Sequence, residues 1–146
     1  MTFNIKHIFQ PSDTYKDVRN INIYLLRGLF FLMFFVLGLQ VWSFIFKHSG
    51  TWDSDQAVAY SVFAGFSVLA FLGIINPIKM LPLLLLEVFY KVLWLLLVAF
   101  PVWFSDQVVS VRVESRIFAF TLIVLPLVAI PWGYVYKTYI LHLKSA

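Results

Sequence analysis

Residues 81–104 read LPLLLLEVFYKVLWLLLVAFPVWF, and this stretch decides the class of fold. Only two of its side chains carry a charge, Glu87 and Lys91. The hydrocarbon core of a bilayer is about 30 Å thick, so an α-helix rising about 1.5 Å per residue needs about 20 apolar residues to cross it. The stretch is long enough to do so, and it predicts a transmembrane helix.

Three further stretches have the same character. No charged residue occurs in residues 28–46, 56–78 or 117–136. None alternates between apolar and polar residues as a barrel strand does, and backbone groups in lipid must be satisfied internally, which leaves helices. Short connections make successive helices antiparallel neighbours. We therefore predict an all-α fold, an integral membrane up-down four-helix bundle formed by one transmembrane domain over residues 1–146. The predicted helices are residues 20–46, 56–77, 81–104 and 116–139, after a cytosolic tail of residues 1–19.

The composition fits a lipid environment. Hydrophobic residues make up 62% of the 146-residue chain and charged residues 12%, whereas a soluble domain carries about 25% charged residues. The absence of cysteine excludes disulfides, thiolate zinc sites, iron–sulfur clusters and cysteine nucleophiles. The net charge of +4 comes from dispersed basic residues beside the apolar stretches. We attribute it to contact with anionic lipid headgroups and expect no nucleic-acid partner.

The basic residues predict the orientation. With the N-terminus in the cytosol, the outer side carries Lys47, Arg112 and Arg116, diluted by four carboxylates. The positive-inside rule then places both termini in the cytosol. The cytosolic side carries Lys6, Lys16, Arg19, Arg27, Lys79, Lys137 and Lys144.

Two charged residues lie inside the third apolar stretch. Ionisable groups at membrane depth are costly unless they are paired, and they often mark a site. Glu87 and Lys91 are four residues apart, so they share one face of a helix and can pair. Tyr90 and Trp94 continue this face, and Arg27 lies at a similar depth in the first helix. We predict an intramembrane charged cluster of these five residues.

The cluster has three interpretations. It is a neutralised group of charges that fixes the register of the helices, a site for a substrate, ion or proton, or a contact with a partner subunit. A proton pathway usually needs more than one carboxylate at depth, and Glu87 is the only one in the apolar stretches.

Two further features predict contacts between helices. Ala57, Ser61 and Gly65 form a stripe of small residues at spacings of four on the second helix, extended by Gly73. Such stripes allow close approach of helices, either within the bundle or between protomers. Gln40 in the first helix is expected to hydrogen-bond to a neighbouring helix.

The fourth stretch contains two prolines. Pro126 and Pro131 each remove a backbone hydrogen bond from a helix that contains them. We therefore expect the fourth helix to be kinked.

One short pattern occurs twice. Residues 52–58 and 103–109 both fit W-x-S-D-Q-x-V, and each precedes an even-numbered helix. One interpretation is that two helix N-termini use the same capping and interfacial residues. The other is a duplicated helical hairpin.

Residues 76–94 read NPIKMLPLLLLEVFYKVLW. This segment resembles one in a family of small, uncharacterised four-helix bacterial integral membrane proteins. The resemblance implies a bacterial cytoplasmic (inner) membrane and the same up-down bundle. It implies no activity, and therefore no functional residue is carried over.

Two classes of function are compatible with these features. The first is a non-enzymatic membrane scaffold or accessory subunit, with the lipid bilayer, a second copy or another membrane protein as partner. The second is a small transporter or channel that uses Arg27, Glu87 and Lys91. A closed apolar bundle favours the first, whereas a polar cavity lined by Glu87 favours the second. The histidines lie outside the apolar stretches and no enzyme motif is present, so we expect no cofactor, metal or catalytic residue.

Overall fold

The structure is a computed structural model, and it describes residues 15, 17–104 and 111–141. Throughout these residues the regular elements are helices, and no β-strand occurs among them, which confirms the all-α class. The helices are α1 (Asn20–Lys47), α2 (Ser54–Ile75), α3 (Leu81–Trp103), α4 (Val111–Thr121), α5 (Val124–Ala129) and α6 (Trp132–Leu141).

The first three helices lie close to the predicted bounds, and each is long and apolar enough to cross a membrane. The start of α2 is two residues earlier than expected, because the Asp53 side chain caps it by accepting a hydrogen bond from the backbone N–H of Gln56 at 3.0 Å. The end of α2 comes just before Pro77, and α3 begins with Pro82 in its first turn, where the missing N–H has no cost.

Both α1 and α3 contain one π-helical turn, at Met33–Leu37 near the middle of α1 and at Leu95–Ala99 in the second half of α3, and α6 is π-helical over Tyr136–Leu141. A π-turn closes its hydrogen bonds over five residues instead of four. Met33 and Gly38 are accordingly both buried although they are five residues apart. Each turn thus holds one residue more than a regular helix would, and the inward face continues beyond it.

The bend predicted in the fourth helix, residues 116–139, is found, but the helix is not continuous, because the chain is broken there into α4, α5 and α6. The axis of residues 113–129 and that of α6 enclose an angle of 74°. Pro131 has no N–H to donate to the carbonyl of Leu127, and the indole Nε1 of Trp132 donates to that carbonyl instead, at 2.8 Å. The break is therefore a stable feature with its polar groups satisfied.

The hydrophobic core lies at the end of the molecule where α1 begins. Its fully buried members include Leu26 and Phe30 of α1 together with Leu81 and Leu84 of α3. Val18, which precedes α1, is also buried in this core. The last residues of the predicted tail are thus part of the folded unit.

Two predictions concern residues outside the ranges that the structure describes. Most of the tail, residues 1–14 and 16, is outside the described residues. The same holds for residues 105–110, which contain most of the second W-x-S-D-Q-x-V pattern, so the structure does not distinguish its two interpretations.

Candidate functional site

The ion pair on α3 is the first part of the candidate site. The Nζ atom of Lys91 lies 2.6 Å from the Oε1 atom of Glu87 and donates a hydrogen bond to it. The Glu87 side chain is 11% exposed and that of Lys91 14%. The helical spacing of four brings the two groups together, because the Lys91 side chain leans toward the start of α3. Each buried charge therefore has its counter-charge on the same helix.

Tyr90 and Trp94 hold this part of α3 against its neighbours. The Tyr90 ring meets those of Phe66 of α2 and Phe120 of α4, both with centroids 5.9 Å away and nearly perpendicular planes. The Trp94 ring lies 4.4 Å from the Phe120 ring. The two edge-on contacts of Tyr90 are a favourable arrangement of aromatic rings, and the Trp94 ring is tilted by 41° to that of Phe120. The aromatic members of the predicted cluster thus serve packing between α2, α3 and α4.

The expected approach of Arg27 to Glu87 is not found. Arg27 is exposed, and among the described residues it forms no ion pair. Its neighbour Leu26 is fully buried, as is Phe30. Successive residues of a helix are turned by about 100° from each other. Because Leu26 faces the core, Arg27 lies on the side of α1 that is turned away from the rest of the protein.

Of the predicted packing stripe on α2, only its extension, Gly73, is in close contact within the described chain, where it lies against Phe30 of α1. Ala57 is half-buried, Ser61 and Gly65 are exposed, and a Cβ atom added at Gly65 would meet nothing within 4 Å. A different set of small residues, spaced by three, faces inward because α1 packs along that side. These residues are Ala64, Ser67, Ala70 and Gly73.

Ser67 is the polar member of that inward set. Its Oγ donates to the Ala64 carbonyl at 2.7 Å and accepts a hydrogen bond from Nε1 of Trp42 at 3.1 Å. A Cβ atom added at Gly38 would lie 3.5 Å from the Cβ of Ser67. The α1–α2 contact therefore includes one satisfied polar link. Gln40, in contrast, is exposed, and its side chain makes no hydrogen bond to the part of the chain described, so the contact expected of it is absent.

Two cavities lie along α2, and both are lined chiefly by apolar side chains. The larger, of about 390 Å³, lies between α1 and α2 beside Trp42. The smaller, of about 280 Å³, lies between α2 and α3 beside Phe66. Glu87 and Lys91 line neither of them.

A cluster of aromatic side chains around the α1–α2 connection was not predicted. The ring of His48 stacks on Trp52 with centroids 3.8 Å apart, and Phe44 stacks on Tyr60 at 4.1 Å. The Nε2 atom of His48 is buried and has no hydrogen-bond partner among the described residues. The sequence signal that could have predicted this cluster is the presence of aromatic residues on both sides of the short α1–α2 loop. The cluster holds the two helix ends together.

The described residues contain no group of three or more His, Cys, Asp or Glu side chains that could hold a metal ion. No family model, no curated protein and no solved structure matches this chain.

Proposed function

We propose that this protein is a multi-pass component of a bacterial cytoplasmic membrane that crosses the bilayer four times in an up-down bundle. Both termini lie in the cytosol. Its role is that of a non-enzymatic scaffold or accessory subunit.

The observation that carries the membrane assignment is that the apolar helices are not buried by the protein itself. Only 17% of the apolar window is buried in α1, 28% in α2 and 17% in α3. Soluble proteins rarely expose contiguous apolar patches larger than a few hundred Å². Three long helices with exposed apolar faces need another covering, and the acyl chains of lipids supply it.

The fourth crossing is assigned to α4 and α5. Residues 113–129 would extend about 25 Å as a helix, and its charge-free part, residues 117–129, about 20 Å, which is shorter than a bilayer core of about 30 Å; Glu114 and Arg116 then lie at the outer boundary. The side-chain amide of Asn22 donates a hydrogen bond to the Ala129 carbonyl at 3.0 Å. The end of α5 is therefore level with the start of α1, which supports a crossing of the same depth in the opposite direction.

The ion pair favours a structural role over transport. A transport site requires a polar group that its cargo can reach, whereas the Glu87 carboxylate is already bonded to Lys91 and largely buried. The two cavities along α2 are apolar and do not include it. A neutralised pair on one helix permits that helix to lie in lipid, and it fixes which face of α3 turns inward.

We assign the contact with a partner to an exposed face of α2. Ser61 and Gly65 are exposed on the face of α2 turned away from the rest of the protein, and residues this small would let another helix approach closely. Both a second copy and another membrane protein are partners of this kind.

The test is purification in a mild detergent followed by mass determination and reconstitution into lipid vesicles. We expect the protein to stay with the membrane in alkaline carbonate, to purify with a second copy or another membrane protein, and to conduct no protons or alkali cations above protein-free vesicles. Release by carbonate would contradict the membrane assignment. Flux that is lost in Glu87→Gln and kept in the matched surface variant Arg27→Gln would instead establish the transporter or channel.

A further inference from the structure

The segment α6 lies beyond the end of the bundle. The Tyr134 ring meets the Tyr15 ring edge-on with centroids 6.3 Å apart, and Nζ of Lys137 lies 2.6 Å from Oδ1 of Asp17. Tyr15 and Asp17 both precede the first residue of α1. α6 therefore lies beside the chain that precedes α1, at the end of the molecule where α1 begins.

The direction of α6 differs from that of the helix before it. The 74° bend turns it away from the axis of residues 113–129, so it runs across the end of the bundle. The bend is held on both sides, because Trp132 donates to the Leu127 carbonyl and Asn22 donates to the Ala129 carbonyl. Because 74° is 16° short of a right angle, α6 lies at a shallow angle to the surface of a bilayer that residues 113–129 cross along its normal.

The side chains of α6 fall into two groups. Val135 is buried in the core, and Tyr134 and Tyr139 pack against it. Trp132, Tyr136 and Ile140, in contrast, are 46%, 53% and 49% exposed, at spacings of four. An apolar and aromatic face is thus left without a protein partner among the described residues.

The tryptophan and tyrosine rings of that outward face indicate a lipid surface as its partner. Tryptophan and tyrosine concentrate at membrane–water boundaries, because their rings are apolar and carry one polar group. The N–H of Trp132 already donates to the Leu127 carbonyl, so Trp132 offers its ring to the boundary and Tyr136 offers both its ring and its hydroxyl. The Lys137–Asp17 pair nearby is 57% and 52% exposed, which marks the level of water. Rings and a charged pair at one level match the layer between headgroups and acyl chains.

We propose that α6 is an interfacial helix, which lies along the cytosolic surface of the bilayer and binds the headgroup layer through Trp132, Tyr136 and Ile140. This inference rests on the proposed membrane crossing. It assigns to the C-terminal segment a lipid-binding surface in place of the end of a fourth transmembrane helix.

The absence of cysteine in the chain makes the test direct, because a single introduced cysteine carries a nitroxide label to one chosen position. Labels are placed singly at Trp132, Tyr136 and Ile140, and at the exposed residue Val62 in the middle of α2. The full chain is reconstituted in vesicles of phosphatidylcholine and phosphatidylglycerol. Collision rates with oxygen, which concentrates in lipid, and with a water-soluble nickel chelate give the depth of each label.

We expect the ratio of oxygen to nickel collisions to be highest at Val62, and intermediate and equal at the three α6 positions. Labels at Gly133 and Lys137, also exposed but off that face, should give a lower ratio and serve as the matched controls. A ratio that rises steadily from residue 132 to residue 140 would mean that the segment enters the bilayer. An aqueous ratio at all α6 positions would mean that it does not bind. Either result overturns the inference alone, whereas an aqueous ratio at Val62 overturns the membrane crossing and the inference together.

Discussion

The ring of Phe30 on α1 occupies the space that a side chain at Gly73 of α2 would need. A β-carbon built at Gly73 would overlap ring atoms of Phe30. Phe30 is fully buried, so its ring has little room to move aside. The missing side chain at Gly73 thus sets how closely α1 and α2 approach at the core end of the molecule.

Gly73→Ala should destabilise the fold, because added volume in a packed core typically costs about 1–3 kcal/mol. Gly28→Ala is the matched control, since a β-carbon there meets nothing within 4 Å and Gly28 lies on α1, outside the proposed partner face of α2. We expect the first variant to lower the melting temperature in detergent and the second to leave it nearly unchanged. Equal melting temperatures for the two variants would contradict the assigned face of α2.

Glu87→Gln should also lower the melting temperature. The change leaves the charge of Lys91 without a partner in a site where its side chain is only 14% exposed. Breaking a buried pair by removing one partner costs on the order of 3 kcal/mol. Adding Lys91→Met should recover part of the loss, because the stranded charge is then gone as well, and such non-additivity marks a coupled pair.

Arg27→Gln is the control for that experiment. Arg27 is exposed, and no described residue forms an ion pair with it, so its loss should change stability by no more than about 0.5 kcal/mol. A loss as large as that of Glu87→Gln would return Arg27 to the charged cluster. Strict additivity of the changes at Glu87 and Lys91 would show that the two residues are not coupled.

Asn22→Ala should destabilise the junction between α1 and α5. Its amide is the donor to the Ala129 carbonyl, and leaving that carbonyl without a donor costs about 1–3 kcal/mol. Gln40→Ala removes a similar amide from the same helix where it is exposed, and it should have little effect. Thermal unfolding monitored by circular dichroism compares the two variants, and an equal response would argue against the junction.

The orientation is tested with cysteines introduced at Ser54 and Ser145 and a membrane-impermeant thiol reagent applied to intact spheroplasts. The bias of Lys and Arg toward one side predicts that Ser54→Cys is labelled and Ser145→Cys is not. Lysed spheroplasts provide the control, since both positions should then react. Labelling of Ser145→Cys alone in intact spheroplasts would reverse the topology.

The lengths of α1, α2 and α3 could be predicted from the sequence, because length follows from the extent of an apolar run and from local stop signals such as Pro77. The inward face of α2 could not. This helix is apolar on all sides, so two sets of small residues were available, one through Gly65 and one through Ser67. The choice between them depends on where Phe30 packs, which is a long-range property.

In the candidate site, too, local features could be predicted from the sequence and long-range packing could not. The pair of Glu87 and Lys91 could be predicted because both groups lie on one helix at a fixed spacing. The position of Arg27 could not, because equal depth in two helices does not determine how α1 is rotated about its axis. A bend at the prolines could be predicted, but not its angle of 74°, because the contacts of Trp132 with Leu127 and of Asn22 with Ala129 are not fixed by the local sequence.

The π-turns of α1 and α3 have a consequence for insertions and deletions. Each turn holds one residue beyond the regular helical count, so deleting one residue within Met33–Leu37 would produce a continuous α-helix and keep both flanking segments facing inward. The same deletion in α2, where the helix is regular, would rotate everything beyond it by about 100°. In α1 and α3, homologous chains can therefore differ in length by one residue and still fold alike.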